Sequence, residues 1–290
     1  MILKRKIYKK LLEWKKECQG KKALLIEGAR RIGKSTICEE FGKNEYKSFL
    51  LIDFAKKDKE VEGYFEKYLN DLDTFFMLLQ THFGTKLTER NSLIIFDEVQ
   101  MFPQARAAIK YLVADGRYDY IETGSLISIR ENVKNIVIPS EERHINMYPL
   151  DFEEFAIALE EDLLVEYIKK CFEKREPLER SMHNQAMLLF HQYMLVGGMP
   201  MPVVTFIESK KDFTEADREK RDILKLYRED IMKIDAKYRS KVLAIYDQIP
   251  GFLSQHEKRV VFKKLQDVVT FVVEEVEGQA QAAEQFHVET

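Results

Sequence analysis

Gly28-Ala29-Arg30-Arg31-Ile32-Gly33-Lys34-Ser35-Thr36 fits the pattern G-x-x-x-x-G-K-[ST] and follows directly on the apolar run Ala23-Leu24-Leu25-Ile26. These residue types in this order can grip phosphate. Backbone N–H groups of such a loop turn inward onto the phosphate oxygens, and glycines at 28 and 33 permit angles and close approach that a Cβ would block. Lys34 offers a cation to the β and γ oxygens, and the Ser35 hydroxyl is an oxygen ligand suited to Mg²⁺. A helix starting here adds the partial positive charge of its N-terminus. Residues Gly28 to Thr36 are therefore candidate contacts to a nucleoside triphosphate, with Ser35 also a metal ligand.

A second chemical group ends the run Leu93-Ile94-Ile95-Phe96-Asp97-Glu98. Four consecutive apolar residues are short for a helix and read as a buried parallel strand. In open α/β sheets, carboxylates at the C-terminal end of such a strand lie on the ligand-binding edge. Asp97 is then the candidate Mg²⁺ ligand, and Glu98 the candidate base that orients an attacking water. Taken alone, the pair could equally be a solvated acidic turn; the phosphate loop favours the catalytic reading. A kinase keeps water out, whereas an ATPase holds one water in line, so the second carboxylate favours hydrolysis.

The elements that must position these groups follow from the spacing of apolar residues. Ile7, Leu11, Leu12 and Trp14 recur at helical spacing in a lysine-rich stretch, whose lysines read as a solvated face. Strands are expected at 23–27, 48–54, 92–98, 118–125 and 144–149, with helices after the loop, across 56–90 and at 103–115. Alternating strands and helices imply an α/β fold with a doubly wound parallel sheet. Beyond residue 150, strand-like runs give way to helical spacing at 151–160, 161–174, 178–196, 217–233 and 238–249, broken by Pro177, Gly197-Gly198, Pro200, Pro202 and Pro250. The expected division is a nucleotide-binding domain at 1–150, an all-helical unit at 151–258 and an atypical tail at 259–290.

Composition narrows the class. With 290 residues, 45% hydrophobic and 33% charged, the chain can bury a full core and reads as a soluble globular protein of two units. A net charge of −3 gives no general attraction to nucleic acid or to an anionic membrane, so either would need a local patch. Cys18, Cys38 and Cys171 fit neither a metal pattern nor a paired disulfide framework, which points to a reducing, cytoplasmic compartment. No signal-peptide core and no run near eighteen apolar residues is present, so no membrane association is expected.

The phosphate-loop motif, Ile95-Phe96-Asp97-Glu98-Val99-Gln100, Thr123-Gly124-Ser125 and Tyr148-Pro149-Leu150-Asp151-Phe152-Glu153-Glu154-Phe155 resemble, in that order, the prokaryotic family of AAA-type ATPases related to the archaeal ATPases. Gly197-Gly198-Met199-Pro200 and Tyr227-Arg228-Glu229-Asp230-Ile231 extend the likeness over roughly residues 1–258. The resemblance implies a P-loop NTPase sheet flanked by helices, with ATP and Mg²⁺ as ligands. Lys34 and Ser35 then correspond to the phosphate and magnesium contacts, Asp97 and Glu98 to the Walker B pair, and Ser125 to a polar sensor beside the γ-phosphate. Thr123-Gly124-Ser125 reads equally well as turn chemistry. Arg143 is a candidate arginine finger, while Arg30 and Arg31 lie inside the loop; each could instead pair with a surface carboxylate.

Relatives in this family usually continue past the point where this chain stops, so the resemblance implies a C-terminally truncated member without a nuclease-like or DNA-reading domain. Residues after about 258 no longer resemble the family; 268–273 could form an apolar helix surface that promotes association, and 278–290 read as a disordered tail. The expected activity is ATP hydrolysis coupled to movement of the helical unit, with a protein partner or a second copy as candidate assembly partners. A nucleotide-dependent switch with little hydrolysis and a phosphotransferase are the alternatives. Adenine as the base follows from the resemblance alone, because no N-K-x-D base-reading motif stands in the sequence.

Overall fold

β3 (Ser92–Asp97) is buried along its whole length, as four apolar residues in a row require of a strand covered on both faces. It belongs to a sheet with β1 (Ala23–Glu27), β2 (Ser48–Asp53), β4 (Asp119–Gly124) and β5 (Glu142–Asn146). The order is β2-β3-β4-β1-β5 and every pairing is parallel. The computed structural model describes residues 1–125 and 140–254.

Strand alternation sorts the side chains between two cores. Leu24, Ile26, Leu93, Ile95 and Ile121 face α1 (Ile7–Cys18) and α2 (Lys34–Glu45), where they join Leu11, Trp14, Ile37 and Phe41. Leu25, Ile94, Phe96 and Tyr120 face the opposite way. That side is covered by α3 (Lys59–Tyr68), α4 (Leu72–Phe83) and α5 (Pro103–Asp115), through an aromatic cluster that includes Phe54, Phe65, Phe75 and Phe102. Residues 56–90, expected to be helical, form these two helices, each N-capped by an aspartate: Asp58 accepts from the Glu60 and Val61 N–H groups, and Asp71 from that of Thr74.

The last strand lies earlier than the apolar pattern suggested. Glu142 and Arg143 pair with Ala23 and Leu24, and Met147 N–H closes the ladder on the Glu27 carbonyl at 2.8 Å. Pro149 has no N–H to continue it, and Asp151 then opens α6 (Phe152–Ala158) through a capping box with Glu154. α7 (Asp162–Lys174), α8 (Arg180–Val196) and α9 (Pro200–Glu208) follow and form a third core around Phe155, Leu189, Val203 and Phe206, which also takes in Leu3. Pro200, read in the sequence as a break, starts α9 at a position where the missing N–H has no intrahelical acceptor to lose.

α10 (Phe213–Ile231) and α11 (Ala236–Ser254) complete the described chain, and α11 runs on through Pro250, which the sequence suggested would end it. The chain divides into compact units at Met1–Asp217 and Arg218–Thr290. Within the second, Arg228 pairs with Asp247, and Ile223 and Ala244 are buried. The expectations for 259–290, including the apolar surface at 268–273 and the tail at 278–290, lie outside the described residues. Cys18, Cys38 and Cys171 are free and buried. No helix among the described residues is long and apolar enough to cross a membrane.

Candidate functional site

All five strands are parallel, so their C-terminal ends share one edge, and β1 delivers Gly28 there. Gly28 is needed for space: a Cβ would lie 2.4 Å from the Met147 carbonyl oxygen just beyond β5. Gly33 is needed for its backbone angle, φ +88°, from which α2 begins. Arg31 also takes a left-handed φ of 64°. No side chain caps α2, so the first-turn N–H groups face the loop as donors.

The side chain of Lys34 runs inside the loop and donates to the carbonyls of Gly28 at 3.2 Å and Ala29 at 2.9 Å. It is buried, and desolvation draws its pKa below the ordinary lysine value against the opposing charges of Glu98 and Asp97. An anion seated against the ammonium would reverse that shift. One turn on, burial pushes the Cys38 thiol well above the usual cysteine range.

Ser35 Oγ lies 2.7 Å and 2.8 Å from the two oxygens of Asp97, so loop and strand tip meet directly. β4 lies between β1 and β3, and its Thr123 hydroxyl donates to Asp97 Oδ1 at 2.5 Å while accepting the Glu98 N–H at 3.2 Å. Glu98 itself takes a left-handed conformation, φ 54°, as the chain leaves β3 for a short 3₁₀ turn at Val99–Met101. Its carboxylate accepts from Gln100 Nε2 across that turn. Hydroxyl and carboxylate oxygens side by side suit a hard cation that keeps waters and substrate phosphates in its remaining positions. No group of three or more His, Cys, Asp or Glu that could hold a metal by itself occurs among the described residues.

The structure thus brings together Gly28, Gly33, Lys34, Ser35, Asp97 and Glu98. Ala29, Arg30, Arg31 and Thr36 are on the exposed side of the loop and its first helical turn, and Ile32 is buried beneath it. Ser125 lies half-buried one residue past β4. Arg143 is elsewhere: it pairs in register with Leu24, at the far end of β1 from the loop, and Nη1 binds Glu17 of α1 at 2.6 Å. In the sequence Thr123 stands only as the first residue of the Thr123-Gly124-Ser125 motif, with no role of its own, although a two-residue step from Ile121 places it on the same sheet face as Asp97. Also unforeseen is a cavity of about 130 Å³ between Ile2 and Leu3, Gly33 and Thr36 of the loop, and Pro200, Met201 and Val204 of α9.

Residues 20–156 match a protein family described as "AAA domain". Among solved structures, the chain is similar to the Orc1 protein of Aeropyrum pernix in complex with DNA, at 9% identity and a TM-score of 0.36, covering 94% of this chain and 84% of that one. A DNA replication initiation factor aligns at 13% identity and a TM-score of 0.37 over 97% and 91% of the two chains. PCH-2 of C. elegans aligns at 10% and 0.33 over 94% and 65%. Likeness at this level carries no weight for function. No curated protein matches the chain.

Proposed function

We propose, from the premise that residues 20–156 are an AAA domain of the nucleotide-binding ATPase class, that the protein binds ATP with Mg²⁺ and hydrolyses it, coupling nucleotide state to movement of its helical segments. The observation that supports this reading best is the direct meeting of Ser35 Oγ with both oxygens of Asp97, next to the buried ammonium of Lys34. In the proposed roles, the N–H groups from Ala29 to Thr36 cradle the phosphates and Lys34 neutralises the β and γ oxygens. Ser35 and Asp97 would hold Mg²⁺, and Thr123 fixes the Asp97 carboxylate. Held there, Mg²⁺ would supply neutralisation of phosphate charge. Glu98 orients the attacking water, and Ser125 is a polar contact near the γ-phosphate. The cavity beside Gly33 and Thr36 takes the adenine base between Leu3 and Pro200.

One geometric detail favours a second reading, a nucleotide-dependent switch with slow hydrolysis. Gln100 Nε2 holds one oxygen of the Glu98 carboxylate, which takes up part of its capacity to accept from a water. Phosphate release by the wild type, Lys34→Ala and Glu98→Gln separates the two readings. Release above both variants supports the ATPase; equal release with Lys34-dependent binding supports the switch. Phosphate appearing on an added acceptor would point to a phosphotransferase, and no heat on titrating Mg·ATP into folded protein would end all three.

A further inference from the structure

In sequence, Leu3-Lys4-Arg5-Lys6-Ile7 is a cationic prelude to α1. The side chain of Arg5 is nevertheless only 6% exposed, and three of its nitrogens point three ways. Nη1 donates to the Ile32 carbonyl at 2.9 Å, Nη2 to the Tyr148 carbonyl at 2.6 Å, and Nε to Glu154 Oε1 at 3.2 Å. The next backbone N–H, that of Lys6, donates to the same Glu154 oxygen at 2.6 Å. The other oxygen of Glu154 accepts the Asp151 N–H in the capping box of α6. Arg5 therefore joins the phosphate loop, the segment after β5 and the start of the helical region in one knot, part-buried at Ile32 and Glu154 and exposed at Tyr148.

The Ile32 carbonyl is the last before the left-handed step at Gly33. Arg5 holds it from outside. Lys34 holds the carbonyls of Gly28 and Ala29 from inside, while Gly28 is seated against the Met147 carbonyl. Charge-assisted bonds are short and directional, and a planar guanidinium spreads its donors over three nitrogens in a fixed fork, reaching three separated acceptors that the donors of an ammonium, all on one nitrogen, cannot span.

We propose that Arg5 is a positioning residue for triphosphate binding: it fixes the outer rim of the phosphate loop against Tyr148 and Glu154, so that the inward N–H groups are already aimed when nucleotide arrives. This rests on the reading of residues 28–36 as a phosphate loop. The test is calorimetric titration of Mg·ATP into the wild type, Arg5→Ala, Arg5→Lys and Lys34→Ala. Arg5→Ala should raise Kd about tenfold or more at unchanged stoichiometry, with Arg5→Lys in between because it keeps the charge and loses the fork. A variant that is only partly folded lowers the stoichiometry and leaves Kd alone; that outcome, or an Arg5→Ala Kd within about twofold of wild type, overturns the proposal. If Arg5→Ala does not fold, Arg5→Lys decides: a raised Kd at full stoichiometry supports positioning, and a wild-type Kd overturns it. Wild-type protein that takes up no Mg·ATP, or Lys34→Ala that binds as wild type does, instead brings down the phosphate-loop reading and this proposal with it. A Lys34-dependent site indifferent to Arg5 brings down the proposal alone.

Discussion

Asp97 and Glu122 sit on neighbouring strands, close to the same edge of the sheet, and live in opposite surroundings. Asp97 faces α2, where two hydroxyls, from Ser35 and Thr123, meet its oxygens. Glu122 faces the other side, fully buried near Glu142, whose own carboxylate is gripped by Arg106 at 3.0 Å and 2.8 Å. Burial, reinforced by the negative charge of Glu142, pushes the Glu122 carboxyl well above the usual carboxylate range. His144 bridges the rim of this second cluster, 3.2 Å from Glu142 and 3.5 Å from Glu27. Like residues on one sheet therefore divide by strand alternation: one face is wired to hydroxyls, the other to the fixed cation of Arg106.

The contrast can be broken by substitution. Lys34→Ala should cost the most, with phosphate release falling about a hundredfold or more and Mg·ATP affinity falling with it. Glu98→Gln should slow release by about a hundredfold while leaving affinity within a fewfold, a split that steady-state kinetics beside calorimetry will show. Thr123→Val leaves Asp97 Oδ1 and the Glu98 N–H short of a partner; turnover should drop by about tenfold and stability by roughly 1–3 kcal/mol in denaturant melts.

Glu122→Gln tests the other cluster. Because the folded protein holds the Glu122 proton above 4.5, the ordinary glutamate value, the unfolded chain binds fewer protons there and stability falls as pH rises from that value toward the folded pKa. The glutamine variant should lose this slope and be the more stable form toward the top of that window, as thermal midpoints across pH will show. An unaltered slope would mean Glu122 ionises freely. Smallest of all is Arg143→Ala, which should leave turnover within about twofold, since the side chain is engaged by Glu17 far from the loop. A fivefold loss would return Arg143 to the site.

Much of this was legible because the relevant signals are local. The glycines, lysine and serine of the loop are contiguous in the chain, and four apolar residues ending in Asp97 announce both a buried strand and which end meets the loop. Thr123 was harder, since its importance depends on β4 lying between β1 and β3, and strand order is a tertiary fact. Arg5 was invisible for the same reason: its three acceptors lie 27, 143 and 149 residues away in the chain. The start of β5 was misjudged because Glu142 and Arg143 are charged and Glu142 is a poor strand former, yet both pair in register with β1.

Cys18, Cys38 and Cys171 lie within the folded interior, and together they are all the thiols the chain possesses. Maleimide dyes should therefore find nothing to label on native protein. A single introduced handle, such as Met101→Cys on the exposed turn that follows Glu98, would then carry a fluorophore at one defined spot and report nucleotide arrival as a change in emission.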